Sequence, residues 1–240
     1  MKAILIVLFL LTALLSYTQS YVDSGIRHFS VGEYDEALED FESADEIKSM
    51  LTQTAIAKIY YYRGMIWLSK AEKSSGNYTE VDPLQMAFSN LTVVLNHDDA
   101  WKPQIDEAYT KLSRLLMAEA DNYLKLEKKA GTVDEKTNLL DKRISYLLLA
   151  KELGVSSLVS LYLGQTNKQA GDIIFESTTN VTTMLKAKGY YEESLKHYEL
   201  ARYDDPFSKD IIRNLLTISK RLGDVERIAE YEKLLELAGG

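Results

Sequence analysis

A chain of 240 residues, 46% hydrophobic and 27% charged, has the make-up of a folded protein, long enough for one substantial domain or a short repeat array. Its formal net charge of −8 opposes binding to nucleic-acid phosphates and anionic lipid headgroups. The absence of cysteine excludes disulfides, thiol nucleophiles, iron–sulfur clusters, Cys-ligated zinc and a lipoprotein anchor.

Residues 1–20, MKAILIVLFLLTALLSYTQS, set one cation (Lys2) before an apolar run from Ala3 to Leu15, followed by small and polar residues. That is the layout of a secretory signal peptide. The run is shorter than the roughly 20 residues that span a bilayer, so cleavage near Ser20 is expected, with no stable membrane insertion afterwards. Loss of Lys2 takes the formal charge from −8 to −9. An exported chain without disulfides fits the periplasm of a Gram-negative bacterium. The N-x-S/T sequons at Asn77, Asn90 and Asn180 keep eukaryotic secretion as the alternative. Asn90 lies in a strongly helical stretch, where a chance match is the simpler reading.

With 3 prolines and 12 glycines among segments rich in Ala, Leu, Glu, Lys and Tyr, the remaining 21–240 favours helices and is read as one domain. Tyr21, Gly25 and His28 share one face of a first helix. VGEYDEALEDFESA (31–44) follows, with Tyr34, Ala37, Leu38, Phe41 and Ala44 on one side and acids on the other. Tyr60, Gly64 and Trp67 repeat the first-helix spacing. After the polar insertion KAEKSSGNYTEVDP, Ala87 and Leu91 continue in a helix starting at Pro83. HDDAWKP (97–103) reads as a helix start, ahead of long helices near 103–130 and 134–153. LYLGQTNKQAGD (161–172) carries the marks of another unit. KGYYEESLKHYELA (188–201) then repeats the earlier fourteen residues, with Tyr191, Ser194, Leu195, Tyr198 and Ala201 at the same offsets. Gly32 and Gly189, two residues before the leading tyrosine of each copy, are expected to take positive φ and turn the chain. Pro206 ends the second copy, and RLGDVERIAEYEKLLEL (221–237) places a turn at Gly223 before a terminal cap.

These residues resemble the tetratricopeptide repeat (TPR), a helix–turn–helix unit of about 34 residues with small-against-large packing. The matches fall at about 21–45, 57–95 and 178–238. In the last of these Leu185, Ser194, Tyr198 and Pro206 fit, and Thr182 stands where glycine is usual. The resemblance implies an all-α fold, a right-handed superhelix of antiparallel helix pairs, here with irregular longer helices in the middle. It also implies that peptides or partner proteins bind in the concave groove.

No phosphate-binding loop, nucleophile elbow or zinc helix occurs in the sequence. His28, His97 and His197 lie far apart without metal-ligand spacing, and the many carboxylates suit solvated faces and caps. The chain therefore reads as non-enzymatic, with no cofactor and no metal. A second stripe lies one residue from each core stripe: Val22, Ile26 and Phe29 on one helix, Tyr61, Met65 and Leu68 on another. Such stripes either bury against neighbours or remain for a partner. As a groove they would be apolar toward the N-terminus and polar later, where Thr179, Thr183 and Lys186 hold the equivalent positions. The function read from this is an exported scaffold or adaptor for a protein or peptide of the cell envelope. The alternatives are a glycan- or lipid-binding accessory protein and a hydrolase with an acid pair in the central helices.

Overall fold

A computed structural model describes residues 20–74, 81–154 and 157–239. All but Ser20 of the expected leader falls outside them, as does Asn77. Among the described residues there are ten α-helices and no strand. None of these helices is long and apolar enough to cross a membrane. They are α1 (residues 20–31), α2 (Tyr34–Glu46), α3 (Gln53–Ser74), α4 (Pro83–Val94), α5 (Lys102–Glu127), α6 (Val133–Glu152), α7 (Ser157–Ser177), α8 (Val181–Arg202), α9 (Lys209–Leu222) and α10 (Val225–Leu237). The chain divides within α5 into two compact units, one through Leu115 and one from Leu116.

In the first unit α1 pairs with α2, and α3 with α4. Gly32 takes φ 85°, and its N–H donates to the Phe29 carbonyl at 3.1 Å, closing α1 as expected. Asp82 starts α4 by accepting from the Leu84 and Gln85 amides at 2.9 and 3.3 Å, with Pro83 in the first turn. The pairs close where a glycine meets a large side chain. A Cβ on Gly25 would lie 2.6 Å from the Phe41 ring, and one on Gly64 2.6 Å from Leu91 Cγ. Val22, Ala37, Phe41, Ala44, Ile59 and Ile66 form the buried centre. Asn90 is buried in α4, donating to the Met86 carbonyl, so its sequon is closed off in the folded chain.

In the second unit the end of α5 packs on α6, with Tyr123 stacked on Tyr146 at 5.6 Å. A capping box between Thr132 and Glu135 starts α6. Next, α7 pairs with α8, and α9 with α10 through Gly223 at φ 72°. The α7–α8 pair corrects the expected register. Gly189 makes no turn. It sits inside the continuous α8, with nothing within 4 Å of a would-be Cβ. The glycines that matter are on α7: Gly164 lies against Tyr198 and Gly171 against Tyr191, each at 2.9 Å from a would-be Cβ. LYLGQTNKQAGD is thus an uninterrupted part of α7, and the partner of Tyr198 is Gly164, not a residue near Thr182. One interior glycine costs a helix about 1 kcal/mol relative to alanine. Burial of Ala187, Tyr191, Leu195 and Tyr198 along α8 outweighs it. The contacts thus pair α3 with α4, α7 with α8 and α9 with α10, the α7–α8 pair being longer than a repeat of about 34 residues.

Candidate functional site

The six residues of the second stripe separate. Val22 and Leu68 are 0% exposed and belong to the interior, which corrects their assignment to a partner surface. The cause is the stacking of pairs: a helix between two neighbours buries two faces. Ile26, Phe29, Tyr61 and Met65 are half-buried. Tyr62, outside the predicted set, links two of them, with its ring 5.1 Å from Phe29 and 5.3 Å from Tyr61. Trp101 closes the cluster 4.7 Å from Tyr61. Burial, then the neighbouring Tyr62 and Glu107, push the Tyr61 hydroxyl above its ordinary pKa, so it stays neutral. Tilted, half-buried rings of this kind are packing first and surface second.

Thr179, Thr183 and Lys186 keep the later stripe polar, and other residues carry the exposed apolar surface of the second unit. Large exposed apolar side chains concentrate in the second unit, where Val181, Leu185, Tyr203 and Phe207 all face solvent. Leu185, expected at a core repeat position, is 62% exposed, and Val181 is 72% exposed. Both line a groove of about 260 Å³ between the end of α7, the start of α8 and the end of α9. Its walls are Val181, Met184, Leu185 and Leu222, and its floor is Phe175 and Tyr191.

The groove exists because adjacent helices differ in length. The α8 helix has 22 residues and α9 only 14. At 1.5 Å per residue, α8 outruns its neighbour by about 12 Å. Asn180 starts α8, its side chain accepting from the Thr182 amide at 2.8 Å. The i, i+3, i+4 stripe of Val181, Met184 and Leu185 then runs past the end of α9 at Gly223 before Ala187 and Tyr191 re-enter the core. The floor is fixed by polar pins. The Tyr191 hydroxyl donates to Asp172 Oδ1 at 2.7 Å, and Lys168 holds the other oxygen of that carboxylate at 2.8 Å. Phe175 meets Tyr191 edge-on at 6.4 Å, and the Arg221 guanidinium lies 4.6 Å from the Phe175 ring centre.

Chemically, the groove is a place to seat a side chain. Its volume falls below the roughly 300–1,000 Å³ of pockets that enclose small-molecule ligands. Its lining offers apolar surface and two cations, Lys188 and Arg221, and no carboxylate. The histidines are engaged elsewhere. His28 Nδ1 is 3.0 Å from Asp40, and His97 stacks on Tyr60 while its Nδ1 lies 2.7 Å from Gln53 Oε1. His197 is enclosed at 4% exposure. The central carboxylate Glu127 accepts from Gln169 at 2.9 Å, beside the buried Arg143. Among the described residues no group of three or more His, Cys, Asp or Glu is placed to hold a metal ion.

A scan of protein-family profiles found no match, nor did a search of curated proteins. Several solved structures are similar. A MamA crystal structure shares 14% identity over 92% of this chain and 91% of its own, at a TM-score of 0.30. A MamA mutant shares 16% over 91% and 90%, at 0.34. TTC0263, a thermophilic TPR protein of Thermus thermophilus, shares 19% over 91% and 90%, at 0.27. The helix pairing described above stands on its own contacts.

Proposed function

We propose that this chain is an exported, non-enzymatic interaction module of the cell envelope that docks a peptide segment of a partner protein. The observation that carries the reading is the α7–α8–α9 groove, where Val181 and Leu185 hold an apolar face open to solvent beside a rigid aromatic floor. An exposed apolar stripe on a surface helix is the usual receptor for an anchor side chain of a bound segment. The leader-like residues 1–20 support export, and the periplasm is the proposed compartment. A groove lined without carboxylates favours docking over hydrolysis. Ile26, Phe29, Tyr61 and Met65 are proposed as a second contact face.

A random peptide array probed with the full chain and with Leu185→Glu tests the reading. The parent chain should retain peptides containing Leu, Phe or Met, and the variant should lose them while melting within about 2 °C of the parent, as suits an exposed position. Equal retention by both proteins, or retention of none, would overturn the groove as the docking site.

A further inference from the structure

Resting on that docking reading, we propose that the groove selects an apolar anchor flanked by acidic side chains. The chain as a whole is acidic, at −8, yet the two charges lining the groove are both positive and come from different helices: Lys188 from α8 and Arg221 from α9. Each cation has a glutamate within 4 Å but outside the lining, so the groove walls themselves present only cations, and a segment bearing carboxylates can exchange with those glutamates.

Both cations are available. Lys188 Nζ lies 3.7 Å from Glu192 and Arg221 Nη2 lies 3.9 Å from Glu176, beyond hydrogen-bond distance. All four side chains are at least a third exposed, and such pairs contribute little and exchange readily. Neither Glu176 nor Glu192 lines the groove. Arg221 is also pre-positioned. Its guanidinium is held over the Phe175 ring, which restricts the side chain without consuming its in-plane N–H donors. A guanidinium so held can take a carboxylate through two parallel hydrogen bonds. Lys188, one turn below Met184 on α8, supplies a second, more flexible contact. An anchor seated between Leu185 and Leu222 thus has a cation on each adjoining helix.

Three C-terminally amidated, fluorescein-labelled peptides test this on the full chain. They share one leucine and carry glutamate, serine or lysine on both sides of it. By fluorescence anisotropy at about 20 mM salt the acidic peptide should bind about tenfold or more tighter than the lysine peptide, with the serine peptide between. The spread should narrow at about 300 mM salt. Lys188→Gln and Arg221→Gln should each lower the ratio of glutamate-peptide to serine-peptide affinity. Lys188→Gln, at an exposed position, keeps the test valid if loss of the Arg221–Phe175 stack disturbs folding. Equal binding of the acidic and serine peptides, or tighter binding of the lysine peptide, overturns the charge selection and leaves the docking reading standing. Failure of all three to bind, or binding unaffected by Leu185→Glu, overturns the docking reading and the selection with it.

Discussion

Gly164 of α7 and the Tyr198 ring of α8 occupy one shared space: a Cβ on the glycine would stand 2.9 Å from Tyr198 Cδ2. Gly171 and Tyr191 repeat the relationship two turns along. Filling either space forces the helices apart. Gly164→Ala and Gly171→Ala should each lower unfolding free energy by about 1–3 kcal/mol. Gly189 is the internal control, since a methyl there meets nothing and the helix gains a better former. Gly189→Ala should raise stability by about 0.5–1 kcal/mol. Urea melts of the three variants decide the matter, and a uniform sign across them would refute this account of the pair.

His197 predicts how stability depends on pH. Burial, and then the positive charge of Lys151, pull its pKa down to about 4 from 6.5, with Glu193 opposing and Lys196 adding to the effect. Between those values the unfolded chain binds a proton that the folded chain refuses. The contribution is intact above pH 6.5 and is lost as pH falls through about 4, amounting to about 3 kcal/mol. Denaturant melts from pH 7 to pH 4 should show this decline, and His197→Gln should flatten that part of it.

Arg143 is 4% exposed, and burial lowers its pKa against the opposing pull of Asp121, Tyr162 and Glu127. Its Nε lacks a hydrogen-bond partner, while Glu127 is held by Gln169. Removing the cation leaves a buried carboxylate with less to offset it. Arg143→Ala should therefore cost about 3–5 kcal/mol. Gln169→Ala should cost about 1–3 kcal/mol, the range for one lost partner of a buried group. Both are read from urea midpoints.

Two leucines separate interior from docking surface. Leu68, 0% exposed, should cost about 2–5 kcal/mol when cut to alanine. Leu185→Ala should change stability by no more than about 0.5 kcal/mol and weaken peptide capture instead. Melting and binding measured side by side on the two variants check this. A large stability loss at Leu185 would show that the stripe is packed.

What the sequence revealed was local. The 3.6-residue spacing of Tyr34, Ala37 and Phe41, the positive φ at Gly32 and Gly223, and the long helices near 103–130 and 134–153 depend on neighbours in the chain, and all appear in the structure. Gly32 and Gly189 hold the same place in two nearly matching sentences and behave oppositely. The difference lies in what packs against the flanking residues, which no local window contains. Val22 and Leu68 failed as surface residues for the same reason, since a second apolar stripe does not say whether a neighbour covers it. Leu185 erred the other way. Its repeat position reads as core, and the early end of α9 leaves it exposed.

That early ending has an evolutionary side. Two extra turns added to the end of α9 would roof over Val181 and Leu185 without altering any wall residue, and trimming α8 would erase the cleft altogether. Recognition here is written in segment length, so insertions and deletions at a hairpin tip can create or abolish a partner as readily as substitutions do.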